Sequence, residues 1–156
     1  MAPVTISKAT SSHRPTLETE IEEKLLRSLA GLNVQSKNES IIFSAQDENN
    51  ELIGGVTGST SYGWLLVKLL WVSNHHRGQG IGKDLMLAIE QEARALNCHS
   101  AWLDTSNGVA RDFYLRLGYE DFGVLENKPS DTPADHSRWF MKKRLDGGST
   151  DTDIAR

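Results

Sequence analysis

Apolar residues recur every three or four positions in three stretches of the chain, and this spacing predicts three helices. The predicted helices are Thr16 to Leu32, Ile81 to Leu96 and Val109 to Leu117. The first carries its acidic residues in its N-terminal half, where negative charge suits the helix dipole, and Gly31 lies where a helix stop is expected. A turn-rich break, Ser11 to Pro15, precedes this helix.

Short runs of alternating or continuous apolar residues, bounded by turn residues, predict seven strands. They are Val4 to Ile6, Ser40 to Gln46, Leu52 to Thr60, Trp64 to Val72, His99 to Thr105, Tyr119 to Leu125 and His136 to Leu145. Short turns join the second, third and fourth strands, which predicts an antiparallel meander. The fourth strand is apolar at every position except Lys68, and such continuity predicts burial on both faces in the middle of a sheet.

The order of elements places one helix between two strands. This unit consists of the strand Trp64 to Val72, the helix Ile81 to Leu96 and the strand His99 to Thr105. Because such a crossover joins parallel strands, whereas the meander is antiparallel, the predicted fold class is α/β with a mixed sheet. The 156 residues fit a single domain, expected over 1–145, and residues 146–156 have the composition of a disordered tail.

Composition and charge disfavour several classes of protein. Hydrophobic residues make up 38% and charged residues 24%, a balance typical of a folded domain rather than a disordered chain. The net charge of −4 disfavours nucleic acid as a partner. No apolar run approaches the roughly 20 residues of a membrane helix, and the N-terminus lacks a secretory signal pattern. Cys98 is the only cysteine, so no intramolecular disulfide is possible. Together with the lack of a membrane helix and of a secretory signal, this leads us to expect a cytoplasmic protein with no membrane partner.

A glycine-rich segment, Arg77 to Gly82, lies between the most apolar strand and the clearest helix. Its sequence, RGQGIG, places three glycines within five positions, which lets the backbone turn tightly. Amides at the start of a helix have no partner within the helix and carry partial positive charge. These features predict an anion site for a phosphate or pyrophosphate, where each hydrogen bond to the charged group contributes ~1.5–3 kcal/mol. The alternative is a turn that only caps the helix.

Two common phosphate-binding motifs do not fit this segment. The P-loop requires a glycine five positions before Gly82 and a serine or threonine after Lys83, but Arg77 and Asp84 stand there. The dinucleotide motif requires a glycine in place of Lys83 and a parallel unit around the loop, whereas a meander precedes it.

Two motifs in the same order resemble those of one enzyme family. Arg77 to Gly82 matches the pattern R/Q-x-x-G-x-G/A, and Asn107 to Tyr114 matches N-x-x-A-x-x-x-Y. Tyr114 to Tyr119 matches the Y-x-x-x-G-F/Y that ends the second motif. The chain therefore resembles the GCN5-related N-acetyltransferase (GNAT) superfamily, as a bacterial-type small single-domain member, over roughly Leu52 to Leu145.

The resemblance implies a fold, a reaction and a coenzyme site. The implied fold is a mixed sheet of about six to seven strands, splayed between the strands at 64–72 and 99–105 and flanked by about four helices. The implied reaction moves acetyl from the co-substrate acetyl-CoA to an amine. Main-chain groups at the strand end would bind the coenzyme arm and loop amides its pyrophosphate. The implied coenzyme-binding residues are Trp71, Val72, Arg77, Gly78, Gln79, Gly80, Ile81, Gly82, Lys83, Asn107 and Tyr114.

The resemblance also implies roles in proton transfer. Tyr114 would be the general acid for the leaving thiolate. A tyrosine with a pKa of ~10 keeps its proton at neutral pH and could donate a hydrogen bond or that proton to a sulfur whose thiol has a pKa of ~8.5. Spacing alone favours a core aromatic beside Phe113. Family members often use a glutamate on the central strand as base, but this strand holds no carboxylate. The candidate bases are Asp104 first, then His136, Glu120 and Asp121. A water chain without a dedicated base is the alternative.

The remaining sequence features concern metals and partners. His75 and His76 are adjacent and would point apart on extended backbone, so no metal site is expected. The acidic balance favours a cationic small-molecule amine as the acceptor. Acetylation of a protein N-terminus or lysine, and a non-catalytic acyl-CoA sensor, remain open alternatives. So does a homodimer, because family members are often dimers.

Overall fold

The computed structural model describes residues 2–31 and 38–147, which belong to two compact units that divide after Gln35. In the first unit, the helix α1 spans Arg14–Leu29. It begins two residues before the predicted start because Pro15, which needs no amide partner, occupies its first turn. The predicted break at Ser11 to Pro15 is therefore partly helical. Position 32, the predicted helix end, lies outside the described residues.

The predicted strand at Val4 to Ile6 is wrong. Val4 and Ile6 are 89% and 95% exposed, and no described strand pairs with this segment. A three-residue alternation has too little apolar surface to hold a strand against a sheet. Of the predicted tail, only Asp146 and Gly147 are described, and residues 148–156 lie outside the described part.

The second unit is a six-stranded mixed sheet with helices on it. Its strands are β1 (Ser40–Gln46), β2 (Leu52–Ser61), β3 (Trp64–Val72), β4 (Ser100–Thr105), β5 (Glu120–Glu126) and β6 (Ser137–Arg144). They lie in the order β1-β2-β3-β4-β6-β5, and only β3 and β4 are parallel. The helices are α2 (Ile81–Ala95) and α3 (Gly108–Arg116). The α/β class, the mixed sheet and the meander are confirmed, whereas the described residues hold three α-helices rather than four.

A β-bulge at Lys68 corrects the prediction that β3 is buried on both faces. Thr57 pairs with Leu69 and Gly58 with Val67, so Lys68 has no partner in β2. An extra residue reverses the alternation of side chains beyond it. Leu65 and Val67 are buried before the bulge, but Leu69 and Trp71 are 68% and 49% exposed after it. The apolar run therefore consists of two strand segments whose odd-numbered side chains point to opposite faces of the sheet, and it is not one strand buried on both faces.

Beyond their first residues, β3 and β4 separate. Their ladder consists of Trp64 with Ser100, Leu65 with Ala101 and Leu66 with Trp102, and it stops there. The last six residues of β3 have no neighbour on that side. The splayed pair that the sequence led us to expect is therefore present as a V-shaped cleft.

Helix α2 packs closely on the sheet because glycines face it. Met86 and Ile89 of α2 are fully buried against β2 and β3. A Cβ at Gly58 would lie 2.7 Å from the Leu66 carbonyl oxygen and 2.9 Å from Ile89 Cδ1. Only glycine leaves room for Ile89 of α2 and the β3 backbone at this point. No helix within the described ranges combines the length and apolar character needed to cross a membrane.

A polar group is buried without a partner beside α2. The Tyr119 side chain is 2% exposed, and its hydroxyl has no hydrogen-bond partner among the described residues. A buried unpaired hydroxyl costs about 1–3 kcal/mol. We expect Tyr119→Phe to raise the free energy of unfolding by about 1 kcal/mol, and the melting temperature by about 2–4 °C. Differential scanning calorimetry measures this, and a lower melting temperature would show that the hydroxyl is satisfied.

Candidate active site

The loop between β3 and α2 has the conformation that its glycines allow. After a short 3-10 turn at Asn74–His76, Gly78 and Gly80 take φ angles of 77° and 84°. Side chains rarely adopt this left-handed region, so the two glycines are needed there. Gly80 is the N-cap of α2 and supplies no side-chain cap.

The loop leaves a row of amides without acceptors. No amide from Arg77 to Lys83 donates to another described residue, and the first bond of this region runs from the Asp84 amide to the Gly80 carbonyl. The amides of Ile81, Gly82 and Lys83 form the first turn of α2, where the helix dipole is positive. Unpaired amides that converge at a helix start suit an anionic group such as a pyrophosphate. The residues present therefore fit the phosphate end of the implied coenzyme.

Arg77 braces the loop against the sheet. Its Nε donates to the Val72 carbonyl oxygen at 3.3 Å, which ties the loop to the end of β3. The Lys83 side chain is exposed at the start of α2 and adds positive charge beside the free amides.

The register of β2 and β3 decides which main-chain groups face the cleft. The Ser73 amide donates to the Ile53 carbonyl at 2.8 Å, so these two residues form a hydrogen-bonded pair. Because such pairs alternate in an antiparallel ladder, Trp71 bonds to Gly55, whereas Val72 directs its amide away from β2. The predicted main-chain contact with the coenzyme arm thus fits the Val72 amide. The main-chain groups of Trp71 instead face β2.

Sequence reasoning missed Leu70. The same alternation turns its main-chain amide and carbonyl toward the cleft, where no strand pairs with them. An amide-bearing coenzyme arm needs such unpaired groups. The signal that could have found Leu70 is the strand period of two, counted from Val72.

Three elements meet at Gly82. A Cβ at this position would lie 3.5 Å from Phe113 Cζ of α3 and 3.7 Å from Val72 Cγ2 of β3. The start of α2, the end of β3 and the inner face of α3 therefore surround one point. The loop is thus linked to Tyr114 through Phe113, whose ring packs against the Tyr114 ring with centroids 5.2 Å apart.

Tyr114 is buried and protonated. Its side chain is 9% exposed, and its ring also packs edge-on against Tyr119 at 5.9 Å. Burial raises the pKa of Tyr114 above its ordinary value, because water no longer stabilises the phenolate. The hydroxyl therefore keeps a proton that it can donate at neutral pH.

The other predicted site residues have local partners. Asn107 caps α3, because its Oδ1 accepts from the amides of Val109 and Ala110 at 2.9 and 3.3 Å. The Asn107 Nδ2 has no hydrogen-bond partner among the described residues and can donate to a ligand. Asp104 Oδ2 accepts from Arg138 Nε at 2.6 Å, and Asp104 Oδ1 has no described partner.

The remaining candidate bases differ in surroundings. Asp121 accepts two hydrogen bonds from Arg111 Nε, at 3.1 and 3.3 Å, and also pairs with its terminal nitrogen. Glu120 is exposed, and His136 is half-buried where the chain enters β6. Asp104 is the candidate among them that lies on a strand bordering the cleft, two residues past the last pair with β3.

A comparison with protein families finds a match over most of the chain. The family model described as the acetyltransferase (GNAT) family matches residues 7–119. The chain belongs to this family. GNAT members use acetyl-CoA, and the protein is accordingly an acetyl-CoA-dependent N-acetyltransferase.

Individual GNAT relatives agree with this assignment. The chain is 34% identical over 112 residues to acetyltransferase Atu2258 of Agrobacterium fabrum, covering 69% of this chain and 82% of the relative. It is also 34% identical over 120 residues to blasticidin-S acetyltransferase of Streptomyces morookaense, covering 74% and 88%. Among solved structures, an acetyltransferase from Bacillus cereus superposes with a TM-score of 0.75 at 27% identity, covering 90% of this chain and 97% of that one.

The GNAT loop conformation can be tested at Gly80. No atom lies within 4 Å of an added Cβ, so Gly80→Ala changes only the cost of the φ of 84°. This cost is about 1–2 kcal/mol, and we expect a Kd for CoA about tenfold higher. Titration calorimetry measures the Kd. Gly108→Ala, also open and without a positive φ, is the control and should bind normally. Equal affinity for the two variants would show that the loop does not hold the ligand.

Proposed function

We propose that this GNAT enzyme acetylates the primary amine of a small molecule by direct attack within a ternary complex. The observation that carries the proposal is the alignment of unpaired amides, from Leu70 and Val72 at the cleft to Arg77 to Lys83 at the loop. These two sets of groups suit a coenzyme whose arm contains amides and whose far end is a diphosphate. The Leu70 and Val72 amides are also suited to stabilise negative charge on the thioester oxygen.

Proton transfer in the proposal uses Tyr114 and Asp104. The cationic amine first gives up one proton to Asp104, which frees its lone pair. The neutral amine then attacks the thioester carbon, and the nitrogen loses its second proton to water as the carbon–sulfur bond breaks and the thiolate leaves. Tyr114 donates its proton to that sulfur. Asp104 receives the amine proton at Oδ1, directly or through a water, while Arg138 holds Oδ2.

Direct attack is favoured over a covalent acyl-enzyme by the state of the only cysteine. Cys98 is 6% exposed, and burial raises the pKa of its thiol. A thiol must ionise to act as a nucleophile, so this cysteine is a poor acyl carrier. The acetyl group therefore passes to the acceptor in one transfer.

A small-molecule acceptor is favoured by one relative. Blasticidin-S acetyltransferase, 34% identical to this chain, is named for a small molecule. A net charge of −4 also favours amines, which are cationic before they react.

The proposal is tested by calorimetry with CoA and by thiol release from acetyl-CoA with two panels of acceptors. One panel contains small primary amines, and the other contains peptides with free N-termini or lysines. Faster release with small amines supports the proposal. Faster release with peptides would assign the protein-acetylating alternative. CoA binding without release for any acceptor would indicate a non-catalytic sensor.

A further inference from the structure

An aromatic pocket lies on the face of the sheet that α2 does not cover. Its volume is about 480 Å³, which is within the range of small-molecule sites. Four aromatic rings and one cation line it, namely Trp64, Trp102, Phe122, Phe140 and Lys142. No function described above uses this pocket.

The strand ladders explain why these side chains share one face. Trp102 pairs with Lys142, and Asp104 pairs with Phe140, so the members of each pair lie on the same side. The alternate residues, Leu103 among them, are buried on the opposite side. A shift of register between Asp121 and Gly123 leaves Phe122 without a partner in β6, and a bulged residue of this kind can turn toward the pocket.

The pocket adjoins the cleft. Trp102 belongs to the last pair between β3 and β4, so the strands separate immediately beyond it. Asp104, the proposed proton acceptor, follows two residues later and lies opposite Phe140. The phosphate loop and α2 occupy the other face. An acceptor that approaches the cleft from the face opposite α2 would therefore rest its body in this pocket.

The one lysine that lines the pocket differs from the nearby Arg138 in having no described ion-pair partner. Arg138 is neutralised by Asp104, whereas Lys142 forms no ion pair with any described residue. Glu120 lies directly opposite Lys142 in the β5–β6 ladder and does not pair with it within 4 Å. The pocket thus combines apolar aromatic walls with one lysine, Lys142, that forms no ion pair among the described residues.

We propose that the acceptor is an aryl or heteroaryl primary amine that also carries an anionic oxygen. Its ring would stack among Trp102, Phe122 and Phe140, since aromatic pairs prefer offset or edge-on contacts. Its anionic oxygen would bind Lys142 through a charge-assisted hydrogen bond. The inference rests on the proposed function, because it names the class of amine that the enzyme acetylates.

Four amines test the contributions of the ring and of the anionic group to kcat/KM separately. L-tryptophan has both, tryptamine has only the ring, L-norleucine has only the carboxylate, and pentylamine has neither. We expect kcat/KM for thiol release to be about tenfold higher for each ring-bearing amine than for its alkyl counterpart. We also expect each carboxylate to add a further factor of about five.

Two variants assign these preferences to the pocket. Phe122→Leu should reduce the ring preference severalfold, and Lys142→Met should abolish the carboxylate preference while keeping the ring preference. The matched controls are Val124→Ala, which lies on β5 opposite Trp139 and faces away from the pocket, and Lys128→Met in an exposed loop. Both controls should retain the two preferences.

Several results would overturn the inference. Equal kcat/KM for ring-bearing and alkyl amines would leave the proposed function intact but refute the aryl acceptor. Light scattering that shows Phe122→Leu converting a dimer to a monomer, with an unchanged ring preference, would assign this face to a second copy. CoA binding without thiol release for any amine or peptide would refute the proposed function and this inference together.

Discussion

Tyr114→Phe is expected to lower kcat about 100-fold and to leave the Kd for acetyl-CoA unchanged. The substitution removes only the hydroxyl, while the ring keeps its contacts with Phe113 and Tyr119. A thiolate that leaves without a proton donor is a poorer leaving group, so the loss falls on turnover. Because the pKa of Tyr114 is raised by burial, the wild-type hydroxyl is protonated across the neutral range and supplies the proton throughout.

The measurement pairs steady-state thiol release with titration calorimetry. Tyr119→Phe is the matched control, because it removes a neighbouring buried phenol hydroxyl from the same aromatic cluster. The control should retain its turnover. Normal turnover in Tyr114→Phe would exclude Tyr114 as the acid, and a parallel loss in both variants would point to packing rather than proton transfer.

Lys143→Met is expected to lower the free energy of unfolding by about 3–5 kcal/mol. Lys143 Nζ donates to both carboxylate oxygens of Glu90, at 2.5 and 3.1 Å, and the Glu90 side chain is fully buried. Removing the lysine leaves that carboxylate inside the protein with no countercharge. The ammonium group also lies 5.6 Å from the centre of the Tyr119 ring, a contact that methionine cannot replace.

Urea denaturation measures this loss. The double variant Glu90→Leu with Lys143→Met should recover most of the stability, because an apolar pair of similar size can replace a buried ion pair at little cost. Lys142→Met on the same strand is the control, and it should change the free energy of unfolding by less than about 0.5 kcal/mol. A small effect of Lys143→Met would mean that water reaches Glu90 when the lysine is absent.

Local signals in the sequence were sufficient for most of the fold. The bounds of Ser40–Gln46 and Trp64–Val72 agree with the prediction at both ends, because turn residues on each side interrupt a clear apolar run. The loop at Arg77 to Gly82 was also predictable, since glycine spacing is a local property. Its unpaired amides follow directly from helix geometry.

Contacts between distant residues could not be read from the sequence. Asp104 and Arg138 are 34 residues apart, and their ion pair changes what Asp104 can do at the cleft. Glu90 and Lys143 are 53 residues apart, although they form one buried pair. Such pairs depend on which strands become neighbours, and no local periodicity carries that information.

The bulge at Lys68 divides β3 into two segments that tolerate amino-acid substitution to different degrees. Up to Val67, the inward positions Leu65 and Val67 must preserve tight packing under α2, so sequence drift at these positions is restricted. After Lys68, the outward positions Leu69 and Trp71 border open space and can vary without disturbing that packing. Descendants of this enzyme could therefore acquire new acceptors by altering a few codons at the far end of the strand while inheriting an unchanged scaffold.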